Sequence, residues 1–223
     1  EDFTVPLADF LGNNGGVVIA NPNAPTGMAI SLADVERLAA GNPEAVVVVD
    51  EAYVDFGAQS AVPLLDRCPN LVVVQTMSKS RSLAGLRVGY AIGSANLIAA
   101  LNCVKNSFNS YPLDRLAQAG AQAAIEDEAY FRATVDKVVA TREWTTTRLR
   151  ELGFRVYDSK ANFLFASHDA VPAEKLLLGL RERGILVRWW NKPRISNCLR
   201  ISIGTDEEME ALCRTLEELL GGA

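Results

Sequence analysis

Three short runs, Val17-Val18-Ile19-Ala20, Val46-Val47-Val48-Val49 and Leu71-Val72-Val73-Val74, are apolar without interruption, and each closes on polar residues. A strand with one wet face alternates apolar and polar positions. Unbroken runs of this kind therefore predict strands covered on both faces, as in a parallel sheet. Between the first two runs, Ser31 stands ahead of the helical spacing Leu32, Val35, Leu38 and Ala39, where a serine hydroxyl can cap the first turn. A helix-like segment around Leu64-Leu65-Asp66-Arg67 precedes the third run. This alternation of strand and helix predicts an α/β fold with a mostly parallel sheet. A fourth run, Val88 through Gly93, follows after too few residues for a helical crossover, and is expected to join the sheet antiparallel.

Helices dominate the middle of the chain. They are expected over residues 96–105, 113–125 and about 129–152, the last a long amphipathic connector stopped at Gly153. Beyond it, Phe154-Arg155-Val156, Asn162-Phe163-Leu164-Phe165, Ile185-Leu186-Val187-Arg188 and Leu199-Arg200-Ile201-Ser202-Ile203 read as strands, with helices over 173–183 and 206–219. The expected organisation is a larger domain over residues 1–140 and a smaller α/β subdomain over 141–223.

Composition narrows the chemistry. With 27 acidic and 22 basic residues interspersed, the net charge is -5, and no basic patch stands out to attract nucleic acid or an anionic membrane. No stretch is long and apolar enough to span a bilayer. The four cysteines show no C-x-x-C spacing, which suits free thiols in a reducing cytoplasm. His168 is the only histidine and, beside Asp169 and Pro172, is expected in an exposed loop, so no metal site or Ser-His-Asp triad is expected. The first residues carry no secretory signal and no initiator methionine, and the chain is expected to begin mid-fold. A small-molecule ligand remains the natural expectation.

In doubly wound sheets, ligands bind beyond the carboxyl ends of the parallel strands, so the polar residues closing each run should converge. The first run delivers Asn21-Pro22-Asn23-Ala24-Pro25-Thr26-Gly27, the second Asp50-Glu51-Ala52-Tyr53, and the third Thr76-Met77-Ser78-Lys79. A lysine at such a place can serve as the Schiff-base amine of pyridoxal 5'-phosphate. Hydroxyls at Thr76 and Ser78 and the guanidinium of Arg87 suit a phosphate. Asp50 is placed either to cap a helix or to pair with a protonated pyridine nitrogen. Tyr53 is placed either to bond the ring's phenolic oxygen or to pack at an interface.

These motifs, Asn-Pro-x-x-Pro-Thr-Gly, Asp-x-x-Tyr, Ser-Lys with Gly-Leu-Arg-x-Gly-Tyr, and the late Leu199-Arg200-Ile201-Ser202-Ile203-Gly204, occur in the order seen in fold type I aminotransferases. In detail the chain most resembles the histidinol-phosphate aminotransferase family. The resemblance implies a fold type I large domain, incomplete at its N-terminus, with a smaller C-terminal subdomain. It implies a homodimer in histidine biosynthesis that exchanges an amino group between histidinol phosphate and 2-oxoglutarate, leaving glutamate. It further implies that Lys79 is the cofactor lysine and that Asp50 and Tyr53 meet the ring. Thr76, Ser78 and Arg87 would hold the cofactor phosphate, and Arg200 the substrate anion.

The chain departs from the family pattern at Ala24, where the family has an asparagine beside the phenolic oxygen. Asn23 or Asn21 is left either to supply that amide or to stabilise the turn. Arg188 offers either a second fork to the substrate anion or a surface ion pair. Trp189 and Trp190 either line the opening or close a hydrophobic strand end. A threonine-phosphate decarboxylase, an aromatic amino acid aminotransferase and an inactive cofactor-binding remnant are the alternatives.

Overall fold

The computed structural model describes residues 2–12 and 14–221. Its first sheet contains β1 (Val17–Ala20), β2 (Val47–Asp50), β3 (Leu71–Thr76) and β4 (Gly89–Gly93), in that order. The first three run parallel, and β4 pairs antiparallel with β3. One face of the sheet is dry: Val17, Ile19, Val47, Val49, Leu71 and Val73 pack on Val35 and Leu38 of α1 (Leu32–Ala40) and on Leu64. Helix α1 starts at Ser31 because Ser31 Oγ accepts from Asp34 N while Asp34 Oδ2 accepts from Ser31 N, satisfying two otherwise orphaned amides.

The opposite face departs from the expectation of full coverage. Val18 is 74% exposed, and Val48 and Val74 are only half-buried. Helix α2 (Ala95–Phe108), which follows β4, buries none of its residues and turns Leu101, Val104 and Phe108 to the surface. The segment expected to be helical near Leu64 is a single 3-10 turn, Val62–Leu64, with Pro63 inside it.

After α3 (Arg115–Glu126) comes the long helix α4 (Glu128–Glu151), and Gly153 at φ +86° marks the turn out of it. The second sheet has the order β5 (Phe154–Val156), β6 (Phe163–His168), β8 (Leu199–Ser202), β7 (Arg188–Trp189), all antiparallel. Alternation along its strands divides two faces. Leu164, Ala166, Leu199 and Ile201 join a core with Leu149 of α4, Leu176 and Leu180 of α5 (Ala173–Glu182), and Leu212 and Leu216 of α6 (Asp206–Gly221). Phe163, Phe165 and Arg200 lie on the other face, toward the first sheet's loops. Of the expected strand 185–188 only Arg188 is in a strand, the two-residue β7 formed with Trp189.

His168 is not in an exposed loop. It ends β6, half-buried, with its ring edge-on to Phe154 at 5.0 Å and its Nδ1 accepting from Ala170 N and Val171 N. An imidazole there satisfies a turn that would otherwise leave two amides unpaired.

One buried cation ties the two sheets together. Arg142, in mid-α4 and 3% exposed, donates from Nη1 to the carbonyls of Phe56 at 2.7 Å and Ala161 at 2.9 Å. Phe56 belongs to the loop after β2, and Ala161 leads into β6. Replacing Arg142 by Leu would strand both carbonyls, so Arg142→Leu is expected to lose about 3 kcal/mol of stability in urea unfolding. A loss under about 0.5 kcal/mol would mean this tie contributes nothing.

Candidate functional site

The parallel strands place Ala20, Asp50 and Val74 side by side, so the three loops that follow leave the sheet from one edge. In the first loop the amides brace the backbone. Asn21, 1% exposed, accepts from Ile30 N at 2.9 Å and donates to Ile30 O, while Asn23 Oδ1 accepts from Thr26 Oγ1 at 3.1 Å. Gly27 ends this turn at φ +76°, and an added Cβ would lie 2.4 Å from Ser159 Oγ. Its carbonyl accepts from Lys160 N at 2.8 Å, which joins the turn to the segment before β6.

In the second loop Asp50 is exposed, and its Oδ1 accepts from Ala52 N at 3.0 Å. It closes a turn; no α-helix follows that it would cap. Behind it Glu51 is 2% exposed and accepts from Ser60 Oγ at 2.7 Å and Gln75 Nε2 at 2.8 Å. Gln75 Oε1 in turn accepts from the Tyr90 hydroxyl at 2.7 Å. Partial burial, with the Asp55 carboxylate nearby, raises the Tyr90 pKa and keeps that hydroxyl a donor. The network links β2, β3 and β4 behind the exposed Asp50.

The third loop carries Lys79. Thr76 Oγ1 donates to Ser78 Oγ at 3.0 Å and accepts from Ser78 N at 3.1 Å, so the two hydroxyls form one cluster. Beyond Lys79 the loop is pinned in two directions. Ser80 Oγ donates to the Asp55 carboxylate, and Arg81 stacks on Phe131 at 3.8 Å while donating to the Ala124 carbonyl. Ser82 and Arg87 both adopt φ +56°, uncommon for residues with a side chain and typical of constrained functional loops. The Arg87 guanidinium donates to the Ala84 carbonyl at 2.8 Å within the loop.

An unbroken series of ring contacts joins this edge to the second sheet. Lys79 Nζ lies 5.3 Å from the Tyr53 ring centroid. Tyr53 meets Phe163 edge-on at 5.1 Å and 88°, and the Phe163 ring lies 5.1 Å from Arg200 Cζ. Arg200 Cζ is also 5.4 Å from the Trp190 ring, which Arg188 Cζ approaches at 5.3 Å. Lys79, Tyr53, Arg200 and Arg188 are thus in one series, and Thr76 and Ser78 in an adjacent cluster. Asn23 and Arg87 are not joined to it by any hydrogen bond above; both serve their own loops. Phe163, Glu51 and Arg81 are additions that motif spacing does not reveal. None of the three left a trace, since Phe163-Leu164-Phe165-Ala166 is apolar without alternation.

The arrangement offers an exposed amine, a carboxylate, a phenol, a hydroxyl pair and two guanidiniums. Such a set suits an anionic ligand met by the amine and hydroxyls at one end and by the guanidiniums at the other. Burial pushes the Cys68, Cys198 and Cys213 thiols up toward the inert, protonated form, and none of the three belongs to this series. Among the described residues no acidic, histidine or cysteine cluster could hold a metal, and no helix is long and apolar enough to cross a membrane.

The model of the family described as aminotransferase class I and II matches residues 6–216. The chain is 57% identical over 218 residues to histidinol-phosphate aminotransferase of Acinetobacter baumannii (strain SDF), covering 98% of this chain and 60% of that protein. It is 59% identical over 222 residues to histidinol-phosphate aminotransferase of Marinomonas sp. (strain MWYL1), covering 98% and 63%. The chain therefore spans about three-fifths of these relatives' length. Among solved structures, histidinol-phosphate aminotransferase from Sinorhizobium meliloti in complex with pyridoxal-5'-phosphate superposes with a TM-score of 0.82 at 27% identity, covering 93% of this chain and 58% of that one. The enzyme of the same name from Clostridium acetobutylicum, at 23% identity, shares the fold with a TM-score of 0.87, covering 94% and 65%.

The close approach of Gly27 to Ser159 gives a direct test of the junction. Gly27→Ala is expected to cost upwards of about 1 kcal/mol, lowering Tm by about 2–4 °C per kcal/mol in a calorimetric scan. An unchanged Tm would show that the turn relaxes freely.

Proposed function

Because the chain belongs to the class I and II aminotransferase family, we propose that it carries the lysine-bearing part of a pyridoxal-phosphate enzyme of histidine biosynthesis, moving an amino group between L-histidinol phosphate and 2-oxoglutarate. The observation that carries this reading is the series from Lys79 through Tyr53 and Phe163 to Arg200, which sets an amine and an anion anchor at opposite ends of one site.

The residues fit the cofactor. The Thr76–Ser78 hydroxyl cluster suits its phosphate, Asp50 is an exposed carboxylate at the strand edge, and the Lys79 amine is exposed over a phenol ring. When bound, the cofactor supplies an electron sink for the bond broken at the substrate carbon. Asp50 is the carboxylate that would pair with its ring nitrogen and favour the protonated ring. If that carboxylate raises the nitrogen's pKa by about two units, the protonated ring gains roughly 2.7 kcal/mol. Tyr53 donates its hydroxyl to the phenolic oxygen. Arg87, which spends one Nη1 donor on the Ala84 carbonyl, would join Thr76 and Ser78 at the phosphate through its remaining N–H groups. Asn23 Oδ1 is held by the Thr26 hydroxyl, which leaves its Nδ2 as the group that would meet the cofactor.

Lys79 Nζ, once neutral, takes the proton from the substrate carbon and returns it on the other side of the reaction. Arg200, seconded by Arg188, holds the substrate's phosphate by guanidinium forks. The proposal includes a homodimer, supported by the outward apolar residues Leu101, Val104, Phe108 and Leu116 of α2 and α3. It also includes a cytoplasmic location, which suits four free thiols.

In the whole protein, histidinol phosphate and 2-oxoglutarate are expected to yield glutamate, and Lys79→Ala to abolish that yield. Borohydride reduction in the presence of pyridoxal 5'-phosphate should fix the cofactor's mass on the peptide containing Lys79. Release of carbon dioxide without glutamate, or labelling that persists in Lys79→Ala, contradicts the reading. Asp50→Asn is expected to keep cofactor bound while turnover falls about a hundredfold, the equivalent of the 2.7 kcal/mol above. Near-normal turnover would leave Asp50 only its turn.

A further inference from the structure

Arg188 and Arg200 stand directly opposite each other across β7 and β8. Opposed residues of an antiparallel pair raise their side chains from the same face with Cβ atoms about 4.5–5.5 Å apart, and like charges there are destabilising. An ordinary protein surface would answer such a pair with a carboxylate. Here neither arginine takes part in any of the ion pairs formed among the described residues. Arg200 Nε, moreover, is buried with no hydrogen-bond partner.

What holds the pair is an indole. Arg188 Cζ and Arg200 Cζ lie 5.3 Å and 5.4 Å from the same Trp190 ring, and Phe163 adds a second ring at 5.1 Å from Arg200. Tryptophan is the strongest of the aromatic partners for a guanidinium. The choice of an aromatic over a carboxylate has a chemical consequence. A carboxylate neutralises a guanidinium and occupies the N–H groups of its fork; a ring attracts the cation through its face and leaves the N–H groups in the guanidinium plane open. The two charges therefore remain unneutralised and able to donate. A monoanionic carboxylate ligand cancels one of them, whereas a phosphoryl dianion cancels both and has oxygens enough for two forks.

We propose that Trp190 is the residue that sets the ligand preference of this site, its indole holding Arg188 and Arg200 as an open pair that favours a doubly charged phosphoryl group over a carboxylate. The proposal rests on the reading of Arg200 and Arg188 as the substrate-anion anchor. Trp190 acts through the arginines and is a positioning residue.

Calorimetric titration of the full chain with methyl phosphate and, separately, with acetate at pH 7.5 tests both levels. The binding component abolished by Arg200→Met defines the site. In that component Trp190→Leu is expected to weaken methyl phosphate about tenfold while changing acetate less than about twofold, and Trp190→Phe, which keeps a ring face, to stay within about threefold of the parent for both. If no methyl phosphate binding depends on Arg200, the anchor reading itself fails and the proposal with it. If Arg200-dependent binding is present but Trp190→Leu leaves it unchanged, weakens both anions equally, or matches Trp190→Phe, the anchor stands and the role of Trp190 is overturned.

Discussion

The edge-on contact between Tyr53 and Phe163 is where the two halves of the site become one. Tyr53 belongs to the loop leaving β2, and Phe163 opens β6, more than a hundred residues later. The contact does not stand alone. Arg142 bonds carbonyls on both sides of it, and Gly27 accepts from Lys160 across the same seam. A ring pair and a few hydrogen bonds each contribute on the order of 1 kcal/mol. Together they fix the distance between the amine of Lys79 and the guanidinium of Arg200, and a site with a charged ligand at each end needs that distance held.

The electrostatics divide along the same seam. On the side of the first sheet, charges are answered locally: Glu51 by a hydroxyl and two amides, Asp55 by the Ser80 hydroxyl, Arg81 by a ring, a carbonyl and the Glu128 carboxylate. The backbone around Lys79 is thereby pinned while its amine stays exposed. On the side of the second sheet, Arg188 and Arg200 are left without a carboxylate among the described residues. Satisfied polar groups make a rigid frame, and unsatisfied ones mark where a ligand is expected.

The parallel core was legible because unbroken valine-rich runs admit few other solutions, and the antiparallel β4 because too little chain separates it from β3. Lys79, Asp50, Tyr53 and Arg200 could be singled out because each sits at a strand end or in a spaced motif. The structure places Lys79, Tyr53 and Arg200 in one series. Other features depend on partners distant in sequence. Nothing local distinguishes Phe163 from Phe165, or marks Arg142 as the buried member of a charged helix. Local preference also misled: the segment near Leu64 makes one 3-10 turn, and His168 ends β6 accepting two backbone amides. The open face carrying Val18 has the composition of a covered one, in a chain three-fifths as long as its relatives.

The central claim is that Lys79 and the arginine pair address the two ends of a single ligand. A crystal structure of the whole protein with the reduced adduct of pyridoxal phosphate and histidinol phosphate tests this most directly. The account predicts the pyridine ring between Asp50 and Lys79, its phosphate on Thr76 and Ser78, and the second phosphate within hydrogen-bond reach of both Arg188 and Arg200. A second phosphate bound away from both arginines would contradict it.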